Sequence, residues 1–229
     1  MKRSEELQPI AQESAPALIA GQLRSLIGQG VLPPGAQLVE MEIAGKLHVS
    51  RGPVREAIQR LAQEGLLVSV RNRGVFVAEF TEADIRDIYK ARTAVEKAAA
   101  GVLIEGDPVR AGRELLECVS AMEEARAAGD AEAMSEADIA FHETLVSLAS
   151  SPRLSRMHRT LLTETRMCLN RLEGRYADEA VRVAEHRAIA EAIRSGDNNL
   201  VTTRLDAHMD DALDRILPHV AATAPAGGV

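Results

Sequence analysis

The sequence predicts a mainly α-helical protein in two parts: three helices with a β-hairpin, then an all-α antiparallel bundle of about six helices. Three observations predict this fold class. Alanine, leucine, glutamate and arginine, which favour helix, dominate long stretches of the 229-residue chain. Aromatic residues make up only 2% of it, so the core must be aliphatic. Two short β-type runs, 66–70 and 75–78, flank a polar turn that contains a glycine.

The first domain is expected at residues 13–79, after a flexible tail at 1–12. Apolar residues at helical spacing predict a helix over 16–29, which ends in a Gly-Gln-Gly sequence. A turn-rich connector, 31–38, then leads into a short second helix at 40–47. This order of elements places a third helix immediately before the β-hairpin.

The third helix opens with a sequence that both caps a helix and carries charge. Ser50 is a favoured N-cap residue, and Pro53 is tolerated in the first turn, where its missing N–H removes no helical bond. Arg51 and Arg55 are four residues apart and therefore project from one face. Apolar residues project from the other face: Val54, Ala57, Ile58 and Leu61. A packed back and a cationic front predict binding to an anion, and a merely solvated arginine face is the alternative.

The turn of the predicted hairpin is basic, since it contains Arg71 and Arg73 beside Gly74. Gly74 allows either a positive φ or a close backbone approach. Three helices and such a hairpin make a winged helix-turn-helix with a basic wing. Residues 1–78 hold 9 Lys+Arg against 7 Glu and no Asp, which gives a net charge of +2. Because the whole chain has a net charge of −7, the remainder carries −9. A local basic face on an acidic protein is compatible with DNA binding, because phosphate attraction is short-ranged at physiological salt.

The second domain is expected at residues 80–217 as almost unbroken helix. A helix from about 81 to 105 precedes five more, at roughly 109–128, 131–149, 152–173, 177–195 and 198–216. Their short connections predict antiparallel neighbours. The end of the chain, 218–229, is expected to be a disordered tail. Cys118 and Cys168 lack metal-type spacing and are expected to be reduced, as in a cytoplasmic protein.

These motifs resemble those of the GntR family of bacterial transcription regulators. Four blocks in order carry the winged-helix resemblance: GVLPPGAQL at 30–38, VSRGPVREA at 49–57, LAQEGLL at 61–67 and NRGVFV at 72–77. The helical remainder resembles the FCD-type effector domain of the FadR subfamily. The resemblance implies a homodimer that places two recognition helices in successive major grooves of a near-palindromic operator.

The resemblance also implies which residues contact DNA. Arg51 and Arg55 would read bases, with a bidentate contact to guanine as the expected mode. The remaining candidate DNA-contacting residues are Ser50, Pro53, Arg71, Arg73 and Gly74. One departure limits the comparison, because Glu40-Met41-Glu42 occupies the start of the second helix, where relatives carry a basic residue. A relative's base preference therefore does not transfer.

Four residues of the second domain form a candidate metal site: Asp138, His142, His186 and His208. Asp138 and His142 are four residues apart and can converge on one ion, although such pairs are common on exposed helices. Three imidazoles and a carboxylate suit Zn²⁺ or another divalent ion such as Ni²⁺, Mn²⁺ or Fe²⁺. The resemblance favours the site, because metal-containing FCD domains carry Asp-x3-His on one helix and single histidines on two later ones. His158 matches no ligand of the family.

Arg92 lies on an otherwise aliphatic helix, where an inward-facing guanidinium needs an anion. The resemblance implies that it binds the effector's carboxylate, and an ion pair with Glu96 is the alternative; both hold if Glu96 clamps Arg92. Arg92 and Glu96 are therefore the candidate effector-binding residues. The sequence thus predicts a repressor that a small organic carboxylate releases from DNA, and not an enzyme. A metal-dependent hydrolase using the His3Asp site, or a helical interaction protein without DNA binding, are the alternatives.

Overall fold

A computed structural model describes residues 14–169 and 179–221 of the protein. The chain divides into two compact units, one built from residues before 79 and one from residue 79 onward, which also includes 28–30. The helices are α1 (Ala15–Gly28), α2 (Glu40–Leu47), α3 (Arg51–Gln63), α4 (Glu82–Glu105), α5 (Pro108–Ala128), α6 (Ala131–Leu148), α7 (Pro152–Leu169), α8 (Glu179–Ser195) and α9 (Asn198–Ala221). The strands are β1 (Gln37–Leu38), β2 (Leu67–Val70) and β3 (Gly74–Val77). The predicted fold class is confirmed.

The first unit is organised around the apolar back of α3. All four residues predicted to face the core are buried there: Val54, Ala57, Ile58 and Leu61. Ser50 is the N-cap in an extended conformation, but its side chain makes no capping hydrogen bond. The hydroxyl of Ser50 therefore does not cap α3, and Ser50 is exposed at the start of this helix.

A three-stranded antiparallel sheet in the order β1-β3-β2 completes the first unit. The predicted hairpin is present, with Leu67 opposite Val77 and Val70 opposite Gly74, so that the wing turn lies at 71–73. β1 was not predicted, and it lies in the segment that was expected to be a connector. Two residues are too few for a periodic signal, and Leu38 is fixed there by burial against the rest of the unit.

The second unit consists, in its described part, of the six helices α4 to α9. α5 packs against α6 and α8, while α4 packs against α7 and α9. The packing of α5 on α8 is close at Gly112, where an added Cβ would lie 2.3 Å from the Cβ of Arg194. Only glycine fits at this position of α5 without displacing α8.

The helix ends follow the predictions with one correction. A capping box begins α4, since Thr81 Oγ1 accepts the Asp84 N–H at 3.2 Å and the Asp84 carboxylate accepts the Thr81 N–H at 2.8 Å. α9 continues through Pro218 to Ala221, so that residues 218–221 are helical instead of belonging to a tail. A proline near a helix end removes one backbone bond without stopping the helix. The predicted tail at 1–12 and the predicted break at Gly174 lie outside the described residues.

The prediction that the two cysteines are reduced agrees with the structure. Cys118 and Cys168 are both free thiols. Among the helices that the structure describes, none is long and apolar enough to cross a lipid bilayer.

Candidate DNA interface and metal centre

The exposed face of α3 presents the two predicted base-reading arginines. The side chains of Arg51 and Arg55 are 61% and 56% exposed, and both contact the carboxylate of Glu40 on α2. Arg55 donates from Nε and Nη2 over 3.1 Å each, and Arg51 donates from Nη2 over 3.2 Å. The hydrogen bond from Arg55 is the main cause that lowers the pKa of Glu40. An acidic residue therefore sits between the two candidate DNA-reading groups.

The wing presents the other predicted cations. Arg71 and Arg73 are exposed, and the guanidinium of Arg73 lies 5.8 Å from the centre of the Phe76 ring. Gly74 has a φ of 114°, so the positive φ, one of the two roles expected for this glycine, is present. A Cβ on Gly74 would approach within 2.7 Å of Gln37 Nε2, which itself donates to the carbonyl of Arg73 over 2.9 Å. Glycine at position 74 therefore shapes the wing.

The four predicted metal ligands come together inside the second unit. His142 and His186 have no exposed surface, His208 is 7% exposed and Asp138 is 9% exposed. The Nε2 atom of His142 lies 3.2 Å from Nε2 of His186 and 3.2 Å from Nε2 of His208. Asp138 Oδ1 lies 3.4 Å from Nε2 of His186. α6 supplies the first two predicted ligands, and α8 and α9 supply one histidine each.

Hydrogen bonds fix the tautomer of all three imidazoles. In each ring Nδ1 faces an oxygen that can only accept, so Nδ1 carries the hydrogen and Nε2 keeps its lone pair. The acceptors are Glu96 Oε2 for His142 at 2.9 Å, the Arg182 carbonyl for His186 at 2.8 Å and Glu185 Oε2 for His208 at 3.0 Å. Three lone pairs and the Asp138 carboxylate therefore face one another, and a cation between them would relieve their repulsion.

The protonation states match this conclusion. Burial, with Arg92 adding to it, lowers the pKa of His142 to about 4, and burial also lowers the pKa of His186 well below its ordinary value. For Asp138 burial opposes ionisation, but its interactions with His186, His142 and Arg182 outweigh burial and lower the pKa to about 2. Neutral imidazoles and an ionised carboxylate are the forms that bind a metal ion. The three histidines could hold one, with Asp138 beside them.

Glu96 connects this cluster to Arg92. Its carboxylate is fully buried and accepts from Arg92 Nε at 2.6 Å, from His142 Nδ1 at 2.9 Å and from His158 Nε2 at 3.0 Å. Burial opposes ionisation of Glu96, but His142 and Arg92 outweigh it and hold its pKa well below the usual range. The ion pair between Arg92 and Glu96, considered from the sequence as an alternative, is present. His158 was not predicted as part of the site, because its contact with Glu96 spans 62 residues and no local pattern marks it.

A small cavity adjoins the cluster on the side of Arg92. It has a volume of about 30 Å³, and its polar lining includes Tyr89, Arg92, Asp138, Arg182, Glu185, His208 and Arg215. Arg92 Nη2 is buried and, among the described residues, has no hydrogen-bond partner. A buried donor without an acceptor is costly, and this atom could donate to an anionic oxygen in the cavity. Arg182, Glu185 and Arg215 were not predicted as lining residues, because their place beside the cavity depends on how α8 and α9 pack.

Two protein families match the chain in succession. Residues 17–77 match "Bacterial regulatory proteins, gntR family", and residues 87–211 match "FCD domain". These matched ranges cover the winged-helix elements and most of the helical bundle, respectively.

Individual proteins match over most of their length. The chain is 32% identical over 215 residues to the probable D-xylose utilization operon transcriptional repressor of Paenarthrobacter nicotinovorans, covering 92% of this chain and 91% of that protein. It is 28% identical over 212 residues to the gluconate operon transcriptional repressor of Bacillus subtilis (strain 168), covering 90% and 87%. A crystal structure of a GntR transcriptional regulator from Rhodococcus sp. RHA1 superposes with a TM-score of 0.75 at 31% identity, covering 90% of this chain and 99% of that one. The chain therefore belongs to the GntR family of bacterial regulatory proteins and, through its FCD domain, to the FadR-like DNA-binding transcription regulators.

Proposed function

We propose that this chain is a homodimeric repressor that binds a near-palindromic operator, and that a small carboxylate at a metal site releases it. The proposed base-reading residues are Arg51 and Arg55, which are exposed on one face of α3. The exposed wing arginines, Arg71 and Arg73, would hold the DNA backbone or minor groove. The names of both relatives support a repressor, because each is called the transcriptional repressor of an operon.

The metal would be held by Nε2 of His142, His186 and His208, with Asp138 as the carboxylate ligand. The convergence of three fixed lone pairs supports this assignment, and the donor set favours Zn²⁺ over harder ions. A bound divalent ion would supply a Lewis-acid centre that attracts a carboxylate oxygen. The protein's own part is to keep the imidazoles neutral and correctly oriented.

The observation that carries the effector proposal is the buried Nη2 of Arg92 beside the histidine cluster, which has no hydrogen-bond partner among the residues that the structure describes. A carboxylate in the cavity would accept from this nitrogen in a charge-assisted hydrogen bond. The cavity of about 30 Å³ accommodates a group of this size, and a longer ligand requires the lining to move. Sugar acids, short hydroxy or dicarboxylic acids and amino acids are the candidate effectors, and the name of the gluconate operon repressor favours testing sugar acids first.

The proposed switch is a population shift between two packings of the bundle. Glu96 joins Arg92 on α4 to His142 on α6, so a ligand that contacts both Arg92 and the metal would change the relation between these helices. A ligand that prefers one packing shifts the population toward it and, by linkage, changes the affinity for DNA. Release from the operator then follows if the favoured packing changes the spacing or freedom of the two recognition helices.

DNA recognition is tested with arginine variants of α3 and a duplex enriched from a random-sequence pool by the wild-type chain. Arg55→Ala should weaken binding to this duplex by about 1–3 kcal/mol, the value of a lost bidentate base contact. Arg60→Ala is the matched control, because Arg60 lies near the other end of α3 and pairs with Glu56. If Arg55→Ala bound the selected duplex as tightly as Arg60→Ala does, α3 would not be the element that reads DNA.

A further inference from the structure

The carboxylate of Glu40 lies between the two exposed arginines of α3, a contact that the sequence did not predict. It accepts hydrogen bonds from Arg55 Nε, Arg55 Nη2 and Arg51 Nη2, over 3.1 to 3.2 Å. Glu40 is 24% exposed, against 61% and 56% for the arginines, so that it supports them from the side of α2. A negative charge at the centre of a DNA-facing surface opposes binding to phosphate, so its presence there suggests another purpose.

The geometry of the contact with Arg55 indicates that purpose. A guanidinium has two edges that can donate in pairs, one formed by Nε and one Nη atom and the other formed by the two Nη atoms. Glu40 occupies the edge formed by Nε and Nη2. The edge that includes Nη1 therefore points away from Glu40, and this edge can donate to O6 and N7 of a guanine.

We propose that Glu40 is a positioning residue that sets the DNA specificity of this protein. It holds Arg55 and Arg51 in one orientation, which lowers the entropy cost of reading a base. Its charge also cancels part of the attraction of these arginines for phosphate, which weakens binding to non-operator DNA. Both effects raise the preference for the operator over other sequences. This inference rests on the proposed role of α3 in reading DNA.

Three variants of α2 separate position from charge. Glu40→Gln keeps the size of the side chain and removes its charge, whereas Glu40→Asp keeps the charge but is one methylene shorter and cannot span both guanidiniums. Glu42→Gln is the control, because Glu42 is exposed on another face of the same helix and, within the described residues, forms no ion pair. Dissociation constants are measured at several salt concentrations for the selected operator duplex and for a scrambled duplex of equal composition.

The preference for the operator should fall roughly threefold to tenfold in both Glu40 variants, as expected for the loss of two exposed charge-assisted contacts. Only Glu40→Gln should also steepen the salt dependence for the scrambled duplex, by about one unit of log–log slope. The control should keep its preference within about twofold. Unchanged preference in both Glu40 variants would overturn the inference. That outcome, together with weak operator binding by Arg55→Ala, would leave the proposed function intact, whereas normal binding by Arg55→Ala would overturn α3 itself as the reader.

Discussion

The Nδ1–H of His142 donates to Glu96 Oε2 over 2.9 Å, which places one carboxylate between a candidate metal ligand and Arg92. The same carboxylate fixes the imidazole, neutralises the guanidinium and accepts from His158. Because all of these groups are buried, none can be changed without affecting the others. The candidate metal site and the candidate effector site are thus one hydrogen-bonded network.

Glu96→Gln should weaken both metal binding and the fold. Metal affinity should fall about 10- to 100-fold, because the glutamine amide has one uncharged acceptor oxygen and cannot serve both His142 and the Arg92–His158 side. The free energy of unfolding should fall by about 3–5 kcal/mol, because Arg92 is left buried without a counter-charge. Zinc titration calorimetry and urea unfolding measure the two effects. Glu114→Gln, which removes an exposed partner of Arg110, is the control and should change neither quantity appreciably.

Changing His186 and His208 together to alanine should remove the metal. Elemental analysis of the purified wild-type chain should find about one metal ion per chain, as expected for a single site of this donor type. The double variant should contain little, because two of the three converging nitrogens are lost. His48→Ala is the control, since His48 is exposed and lies in the other unit. Retention of metal in the double variant would exclude this set of ligands.

Local patterns were sufficient to predict the winged helix and the face of α3. Val54, Ala57, Ile58 and Leu61 share one helical face whatever surrounds them, so periodicity alone identified the buried side. The grouping of Asp138 with the three histidines came from family resemblance. His158 and Glu185 could not be predicted, because each contacts the network through a residue on another helix, 62 and 23 positions away. β1 was missed because two residues carry no period.

Gly112→Ala should destabilise the bundle. The new Cβ would fall 2.3 Å from Arg194 Cβ and 2.9 Å from the Ala190 carbonyl oxygen, so α5 and α8 must move apart. The free energy of unfolding should fall by about 1–3 kcal/mol or more, as for other overpacked sites. Gly101→Ala on α4 is the matched control, because among the described residues nothing outside its own stretch of helix lies within 4 Å of the added Cβ. Chemical denaturation should show the control to be as stable as the wild type or up to about 1 kcal/mol more stable.

Glu164→Gln should stabilise the protein at high pH only. Burial raises the pKa of Glu164 to about 7, from an ordinary value of 4.5. Between these values the unfolded chain loses its proton first, so the wild type loses stability as the pH rises from about 4.5 to about 7. The glutamine variant lacks this cost and should be more stable by about 1 kcal/mol at pH 8, a value reduced because the group is partly exposed, and equal at pH 4. Urea unfolding at both pH values measures this, and an equal difference at both would contradict it.

In the proposed mechanism, one small carboxylate contacts both Arg92 and the bound metal and thereby releases the operator. The most direct measurement is the operator affinity of the zinc-loaded chain, by fluorescence anisotropy, with a panel of sugar acids, hydroxy acids, dicarboxylic acids and amino acids. Arg92→Lys is the variant to compare, because lysine keeps the positive charge beside Glu96 but lacks the second donor of the guanidinium fork. At least one compound should weaken operator binding by the wild type, and it should have little effect on Arg92→Lys or on metal-free protein. A compound that releases all three forms equally, or a panel without any active member, would contradict the claim.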